Sequence, residues 1–436
     1  MPKVAFVTLG CKVNQFETTA MVGLFRARGY EEVAPEETAD VYVVNTCAVT
    51  GSSEKKSGQL IRRVARQNPQ GIVAVAGCYA QLNPQKVAAT PGVKVVIGTR
   101  EREKIVDYVE EALRLERDAT ATILGNLQNA RENRLFEDIP LLTPTKRTRA
   151  FLKIEDGCDN FCSYCIIPYA RGPVRSRSLA SIRAETEKLV AVGFKEMVLT
   201  GIHLGAYGRD LGGGVSLYDA CRAALKVPGL KRLRLGSLES IEVSPSILEL
   251  MGQDKRLCPH LHLPLQAGSD TILKAMHRHY NTTEYAALLQ KIRRVFPNIA
   301  ISTDVIVGFP GETEELFDET KHFVEQMKFA RVHVFPFSPR EGTPAAKMSG
   351  AVPENIKKVR LKALQEVAAE SAQDFARRFL GREVTVLFET TREGISDGLT
   401  ESYLRVYTAD KVTGGEFYPV RLEKLYKDGV WGSLSQ

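Results

Sequence analysis

Short apolar runs alternate with helix-like stretches along the first hundred residues. The apolar runs lie at 3–9, 41–45, 72–76 and 94–97, and the helical patterns lie near 15–28 and 54–67. This alternation is typical of a doubly wound parallel sheet with helices on both faces. We therefore predict an α/β N-terminal domain over residues 1–117. The polar, weakly periodic stretch that follows predicts a linker over 118–149.

The alternation resumes at residue 150 with a longer repeat. Six strand candidates lie at 151–155, 196–201, 232–238, 260–265, 300–308 and 331–337, with helical patterns between them. Six βα units predict a partial (β/α)6 barrel over 150–353, with its chemistry at the carboxyl ends of the strands.

The remainder of the chain changes character twice. Residues 354–380 read as one long helix that connects the barrel to the tail. Residues 381–436 hold short strands and turns, which predict a small β-barrel of a size common among nucleic-acid-binding domains. A β-domain that only packs against the core fits the composition equally well, because this segment holds seven basic and nine acidic residues.

Composition indicates a water-soluble globular protein, with 44% hydrophobic and 25% charged residues among 436. No run of eighteen apolar residues occurs, and the first residues begin a strand without the apolar core of a signal peptide. We therefore expect a cytoplasmic protein with no membrane association. The net charge of +7 permits a polyanionic partner without requiring one.

Eight cysteines in a reducing compartment indicate metal or redox chemistry rather than disulfides. They fall into two triplets, Cys11/Cys47/Cys78 and Cys158/Cys162/Cys165, with two others apart. The two others, Cys221 and Cys258, fit small buried hydrophobic positions.

The second triplet forms a C-x3-C-x2-C run just after a predicted strand. Thiolates at this spacing can converge on one side of an iron–sulfur cube and leave one iron open to a substrate or cofactor. A structural zinc site requires four ligands. The triplet supplies three, and the nearest later histidine, His203, is far away in sequence. Unrelated buried thiols do not fit so tight a spacing in a polar loop.

The first triplet is spread over three βα units, and each cysteine follows an apolar strand. The stretches VTLGC, VVNTC and AVAGC end at Cys11, Cys47 and Cys78. Neighbouring parallel strands end at one edge of the sheet, where such sheets bind ligands. We therefore expect the three thiols to converge; the alternative is three buried thiols in glycine- and threonine-rich turns.

The C-x3-C-x2-C motif with Tyr164 before its last cysteine resembles the signature of the radical S-adenosylmethionine enzymes. More narrowly, the three strand-end cysteines together with GCDNFCSYCIIPYARG, HLPLQAGSD and TDVIVGFPGETEE resemble the methylthiotransferases. The resemblance covers essentially the whole chain, and the tail resembles the TRAM RNA-binding module. It implies two 4Fe-4S clusters, the second on Cys11, Cys47 and Cys78 with a role in sulfur delivery, and S-adenosylmethionine as the source of both methyl group and radical.

The same resemblance suggests residues for binding S-adenosylmethionine. The candidates are Tyr164, Gly201, Glu239, Gln266 and Gly308, each at or near a predicted strand end or beside the cysteine motif. Residues 199–208, LTGIHLGAYG, depart from the Gly-Gly-Glu pattern common in the superfamily. Each candidate also fits an ordinary loop or packing role.

The motifs most resemble the branch that methylthiolates threonylcarbamoyladenosine next to the tRNA anticodon. Related enzymes act on isopentenyladenosine in tRNA or on an aspartate of a ribosomal protein, and a non-enzymatic iron–sulfur carrier with an RNA-binding module is a further alternative. Partners implied are tRNA through its anticodon loop, a reductase or flavodoxin-type electron donor, and a sulfur donor. Candidate RNA contacts follow the two cysteine sites: Lys55, Arg62, Arg171, Arg175 and Arg177. Solvated helix faces and ordinary salt bridges are the alternative for these cations.

Overall fold

A computed structural model describes residues 1–115, 122–142 and 148–435. The predicted domain boundary between residues 117 and 118 lies outside the described residues. Part of the predicted linker 118–149 lies outside them as well.

The N-terminal region forms one sheet of six parallel strands in the order β2-β1-β3-β4-β5-β6. Its strands are β1 Lys3–Thr8, β2 Glu31–Val33, β3 Val41–Thr46, β4 Ile72–Gly77, β5 Val93–Val96 and β6 Ile123–Leu124. Its helices are α1 Lys12–Ala27, α2 Gly51–Gln67, α3 Cys78–Leu82, α4 Pro84–Ala88 and α5 Ile105–Arg114. Separate apolar clusters cover the two faces of the sheet, which confirms the doubly wound architecture.

The central strands are predominantly apolar because both of their faces are buried. Every residue of β3 and β4 is buried, as expected for the middle of a parallel sheet. The two strands that the sequence pattern did not reveal, β2 and β6, are only three and two residues long and lie at the sheet edges.

The second region is a partial barrel. Its strands and helices are β7 Arg149–Lys153, β8 Glu155–Asp156, α6 Ile167–Arg171, β9 Arg175–Ser176, α7 Leu179–Ala191, β10 Glu196–Thr200, α8 Leu217–Leu225, β11 Arg232–Leu235, α9 Pro245–Gln253, β12 His260–His262, α10 Asp270–Ala275, α11 Thr282–Val295, β13 Ala300–Val307, α12 Glu314–Met327 and β14 Arg331–Pro336. Two three-stranded parallel sheets, β11-β10-β7 and β12-β13-β14, meet through isolated bridges. The predicted six-strand partial barrel is confirmed.

The chain then runs through α13, Glu354–Arg377, into a closed β-barrel with strand order β15-β16-β17-β19-β18. These strands are β15 Glu383–Arg392, β16 Ile395–Leu399, β17 Arg405–Thr408, β18 Phe417–Tyr426 and β19 Gly429–Leu434. Arginines at the start of β11 hold this small barrel: Arg232 donates to the carbonyls of Leu399 and Thr385, and Arg234 to that of Thr400. The small barrel therefore sits at the amino-terminal ends of the large barrel's strands.

Membrane insertion finds no support in the described helices. None of them combines the length and the apolar character that crossing a bilayer requires.

Candidate active site

Three neighbouring strands of the N-terminal sheet deliver Cys11, Cys47 and Cys78 to one edge. Strands β1, β3 and β4 are adjacent, and the register pairs Thr46 with Gly77 at the ends of β3 and β4. Cys47 follows β3 directly, while Cys78 opens α3 and Cys11 precedes α1. The predicted convergence of the three strand ends is therefore present in the fold.

Two glycines allow these turns to approach one another. Gly10 has φ +114°, and a Cβ at this position would lie 3.1 Å from the Cβ of Cys47. Gly77 has φ +97°, and a Cβ there would lie 2.5 Å from the carbonyl oxygen of Thr46. L-residues avoid such φ values, so both turns require glycine and bring Cys11 against Cys47.

The three thiols act on one another electrostatically. Burial raises the pKa of the Cys78 thiol, the Arg171 guanidinium lowers it, and the Cys11 thiol raises it further. Burial also raises the pKa of Cys47, and the Cys78 thiol adds to this effect. Cys78 thus lies close to both partners, and a metal would have to displace the thiol protons on binding.

The second triplet lies in the loop after β8. The backbone N–H of Cys158 donates to the carbonyl of Gly172 at 3.0 Å, and that of Cys165 donates to the carbonyl of Cys162 at 2.9 Å. Phe161 takes a left-handed conformation with φ 45° inside the loop. Burial, with a further contribution from Cys162, raises the pKa of Cys165 to about 12.

Two side chains that the sequence reasoning did not select touch the second triplet. Nη1 of Arg278 lies 3.2 Å from the sulfur of Cys162, and the same guanidinium pairs with Glu239. Nδ1 of His203 lies 3.7 Å from the sulfur of Cys158. His203 is distant from the triplet along the chain, but it follows β10, and its backbone N–H donates to Glu155, just before the cysteine loop, at 2.6 Å. No sequence signal marked Arg278.

The sulfur spacing of the two triplets can be compared with that of a single-ion site. A tetrahedral zinc–thiolate site holds its sulfurs about 3.8 Å apart, since each Zn–S bond is about 2.3 Å. Among the described residues, neither cysteine triplet has its three sulfurs within 4.8 Å of one another. The sulfurs of each triplet are thus more widely spread than in such a zinc site, and a four-iron cube is a larger body that three thiolates can hold.

The surroundings of the second triplet also fit a polar cofactor. Glu155 is buried beside Cys158, whose thiol pKa it raises, and its Oε1 has no hydrogen-bond partner. Its Oε2 accepts from the backbone N–H of His203 at 2.6 Å. Burial raises the pKa of Glu155 well above its usual range. An unpaired buried carboxyl oxygen here would be satisfied by a donor group of a bound ligand.

The two candidate glycines are explained by protein neighbours. A Cβ at Gly201 would lie 2.5 Å from Oε2 of Glu155. Gly308 has φ +74°, and a Cβ there would lie 2.4 Å from Cγ of Lys357. Both positions exclude larger residues for packing reasons, and their contact with S-adenosylmethionine stays a prediction.

The other three candidates for this cofactor lie at the same end of the barrel. Tyr164 lies between the last two cysteines of the motif, and burial raises its pKa well above the usual range. Glu239 is held by Arg278. Gln266 has φ 68°, and its backbone N–H donates to the carbonyl of Asp304 at 2.8 Å. Their roles toward the cofactor stay predictions.

The prediction that Arg171, Arg175 and Arg177 contact RNA is wrong in this structure. Their exposed fractions are 0%, 2% and 2%. Arg175 donates to the carbonyl of Arg171 at 2.8 Å, and Arg177 pairs with Asp138. A charge is buried only where partners replace its water, so these arginines are internal structural groups.

Arg171 is the centre of a buried ion network between the two cysteine sites. Its Nη1 lies 2.9 Å from Glu17 on α1 and 2.9 Å from Asp156 on β8. Its Nη2 donates to Oδ1 of Asn14 at 2.9 Å. Burial would raise the pKa of Glu17, but Arg102, Arg171 and Lys153 overcome it and hold that pKa at about 2. The network joins the N-terminal sheet to the barrel.

The other two RNA candidates, Lys55 and Arg62, are exposed on α2. The start of this helix is fixed to the barrel: the Gly51 N–H donates to Oγ of Ser338 at 3.0 Å, and Glu54 pairs with Arg340. A rigid helix therefore presents exposed cations just after the Cys47 turn.

Two family models match the chain. Residues 3–98 match the Uncharacterized protein family UPF0004, and residues 152–324 match the Radical SAM superfamily. Among solved structures, the radical S-adenosylmethionine methyltransferase TsrM from Kitasatospora setae, with cobalamin and a 4Fe-4S cluster bound, has TM-score 0.58 at 14% identity over 79% of this chain and 77% of that one. This likeness shows the shared fold.

Curated relatives cover nearly the full chain. The threonylcarbamoyladenosine tRNA methylthiotransferase of Bacillus subtilis is 43% identical over 93% of this chain and 90% of its own length. That of Thermotoga maritima is 40% identical over 99% and 96%. The tRNA-2-methylthio-N6-dimethylallyladenosine synthase of Clostridium botulinum is 35% identical over 96% and 93%.

Proposed function

Because the chain belongs to the radical S-adenosylmethionine tRNA methylthiotransferase family, we propose that it adds a 2-methylthio group to N6-threonylcarbamoyladenosine next to the tRNA anticodon. The relatives of higher identity carry this activity in their names, and the 35% relative carries the dimethylallyladenosine activity. The observation that carries the proposal is the presence of two converging cysteine triplets, each one ligand short of a four-iron cube.

The two triplets divide the work. Cys158, Cys162 and Cys165 would hold a cluster that can supply an electron to S-adenosylmethionine, and Cys11, Cys47 and Cys78 would hold one that carries or delivers sulfur. The chain's own groups hold and orient these parts. Arg278 donates to the sulfur of Cys162, and a hydrogen bond to a cluster thiolate tunes its potential. Glu155 offers an unpaired oxygen to a ligand's donor group beside the same site.

Arg171 couples the two sites mechanically. It lies in α6, shortly after Cys165, and its guanidinium reaches Asn14 near Cys11. Because this contact is buried and charge-assisted, it fixes one triplet relative to the other. Sulfur transfer to a substrate activated at the other site requires such a fixed relation.

Several finer features belong to the same proposal. The tRNA anticodon loop contacts Lys55 and Arg62, and the unit 381–436 acts as a TRAM-like RNA-binding module. A reductase or flavodoxin-type protein supplies electrons, and a separate donor replenishes the sulfur, all in the cytoplasm. The boundaries 1–117, 118–149, 150–353, 354–380 and 381–436 divide the chain accordingly.

Nucleoside analysis tests the proposal. We expect tRNA from cells that lack this chain to lose 2-methylthio-N6-threonylcarbamoyladenosine and to accumulate the unthiolated nucleoside. A plasmid copy should restore the product, and a copy with Cys47→Ala should not. Unchanged product in the deletion strain would refute the assignment. Loss of the dimethylallyl product instead, or of a ribosomal-protein modification, would assign one of the sister activities.

A non-enzymatic iron–sulfur carrier is the alternative from a different class. Such a protein would not cleave S-adenosylmethionine. Anaerobically reconstituted protein treated with a strong reductant should release 5′-deoxyadenosine if the proposal holds. Absence of this product from fully loaded protein would favour the carrier.

A further inference from the structure

A cavity of about 720 Å³ lies where the large barrel, α13 and the small C-terminal barrel meet. Strands β12, β13 and β14 contribute His260, His262, Ser302, Arg331 and His333 to its wall. The N-terminal domain contributes Lys12, and the small barrel contributes Tyr403. Lys12 directly follows Cys11 in the chain.

Three cations of this wall lack an acidic partner among the described residues: Lys12, Arg331 and Lys427. In the part of the chain that the structure describes, neither Lys12 nor Arg331 forms an ion pair with a carboxylate; Nζ of Lys12 lies 5.9 Å from the centre of the Tyr403 ring. Burial lowers the pKa of His333, Asp304 opposes this effect, and Arg331 and Lys12 lower it further. Both cations therefore act on the same point of the cavity.

The neighbouring acids are already engaged. Oδ2 of Asp304 lies 3.2 Å from Nε2 of His262, whose Nδ1 lies 2.9 Å from Oγ of Ser302. Arg405, another cation of the wall, lies 3.0 Å from Asp397 and 3.5 Å from Asp428. Nζ of Lys427 lies 5.5 Å and 5.2 Å from the ring centres of Tyr407 and Tyr426. Lys12 and Arg331 are the uncompensated cations that both act on His333.

A divalent cation is the alternative to an anionic ligand in this cavity. Ligand atoms of His262, Asp304 and His333 lie within 4.8 Å of one another, which no other such group does among the described residues. A metal ion there would face Lys12 and Arg331, and like charges repel. The surplus of positive charge favours an anionic ligand.

We propose that this cavity receives the threonylcarbamoyl group of the substrate and that Lys12 and Arg331 pair with its carboxylate. This inference rests on the proposed function and names its specificity site. The dimethylallyl group of the sister substrate is a hydrocarbon without charge, and it would leave both cations unpaired. Unpaired polar groups penalise the wrong substrate more than a poor apolar fit does.

A double-mutant cycle between enzyme and substrate tests the pairing. The substrates are two anticodon stem-loops, one with threonylcarbamoyladenosine and one with its carboxyl group as the methyl ester. The variants are Arg331→Met and Lys12→Met, with Arg331→Lys and Lys12→Arg as conservative partners. Lys362→Met, an exposed lysine of α13 outside the cavity, is the matched control.

We expect each Met variant to raise KM for the natural stem-loop about tenfold or more, with kcat within about twofold, because the variant removes one charge-assisted hydrogen bond to the substrate. Because the ester removes the partner of both cations, its loss on the wild-type enzyme should exceed that of either single variant. The loss should be smaller on each Met variant and close to zero on the double variant Lys12→Met/Arg331→Met. The Lys and Arg variants should recover most of the affinity. Binding of the natural stem-loop to the metal-free protein, followed by fluorescence anisotropy, should weaken in parallel.

Three outcomes would overturn the inference. The first is full additivity of ester and variant losses, and the second is an equal KM for ester and acid on the wild-type enzyme. The third is one equivalent of zinc retained after dialysis against a chelator and lost in His262→Ala, which would assign the cavity to a metal. If the wild-type enzyme fails to thiolate the natural stem-loop at all, the proposed function itself fails. An unchanged iron content in Lys12→Met excludes loss of the cluster at Cys11, and unchanged 5′-deoxyadenosine release excludes damage to the cluster on the other triplet.

Discussion

The two cysteine triplets reach a similar arrangement by different routes. Cys158, Cys162 and Cys165 lie in one loop, and their relative placement follows from local turns such as the Cys165–Cys162 backbone hydrogen bond. Cys11, Cys47 and Cys78 meet only because β1, β3 and β4 are neighbours in one sheet. The first site is therefore local, whereas the second depends on the tertiary fold and on Arg171, which locks the sheet to the barrel.

Alanine substitutions in the two triplets should have the largest effects on activity, and these effects should differ between the triplets. Cys158→Ala should abolish release of 5′-deoxyadenosine, because this cluster lies where the cofactor is reduced. Cys78→Ala should preserve that release but abolish methylthiolation. Either change should lower iron from about eight to about four atoms per chain, following the four-iron composition of each cluster.

Iron analysis, product chromatography and nucleoside analysis on the same preparations provide the measurements. Cys78→Ser is the matched variant that keeps a polar group of similar size. Methylthiolation that survives in Cys78→Ala would remove the sulfur-delivery role from this triplet. Normal cofactor cleavage by Cys158→Ala would reject the assignment of the other.

Arg171 tests the contact between the two regions. Arg171→Met leaves Glu17 and Asp156 with fewer partners in a buried site, and breaking such a pair costs about 3–5 kcal/mol. We expect the free energy of unfolding of the metal-free protein in urea to fall by that amount. The control is Arg183→Met, whose exposed pair with Glu187 is worth less than about 1 kcal/mol. Equal losses in the two variants would show that Arg171 does not carry the interface.

The same network predicts a pH dependence. The pKa of Glu17 is about 2 in the folded protein, below its ordinary value of 4.5. Its contribution to stability is therefore complete above about pH 4.5 and is lost as the pH falls toward 2, a total of about 3 kcal/mol. Urea unfolding between pH 6 and pH 3 should show about 2 kcal/mol of this loss, and Glu17→Gln should flatten the curve. An unchanged slope in Glu17→Gln would contradict the assignment.

The sequence predicted the secondary structure and the cysteine spacing better than it predicted which charged residues pair in the folded protein. The apolar runs and the cysteine spacings predicted the sheets, the barrel and both triplets, because these depend on chain order and period. The arginines after Cys165 were misinterpreted because their counter-charges come from elsewhere: Glu17 lies in α1 and Asp138 before β7. Arg278 was missed for the same reason, since only tertiary packing brings it to Cys162.

Unlike the buried arginines after Cys165, the cations of helix α2 are exposed and can contact RNA. Lys55→Ala with Arg62→Ala should weaken tRNA binding several-fold. It should also reduce the salt dependence of binding by about one unit of log–log slope for each phosphate that the variant no longer neutralises. Fluorescence anisotropy at several salt concentrations measures both. Lys362→Ala on α13 is the control for net charge, and an unchanged salt slope in the double variant would show that α2 does not face the RNA backbone.

The smallest expected effect is that of Cys221→Ala, which tests whether burial of a cysteine is enough to make it a cluster ligand. Burial raises the pKa of Cys221 to about 12, as it does for Cys165, and that of Cys258 to about 11. Yet Cys221 is surrounded by the apolar core of the barrel. Because convergence of thiols rather than burial defines the sites, Cys221→Ala should keep about eight iron atoms per chain and lower the free energy of unfolding by only about 1 kcal/mol. Iron loss in Cys221→Ala comparable to that in Cys78→Ala would show that the two triplets do not account for the ligands.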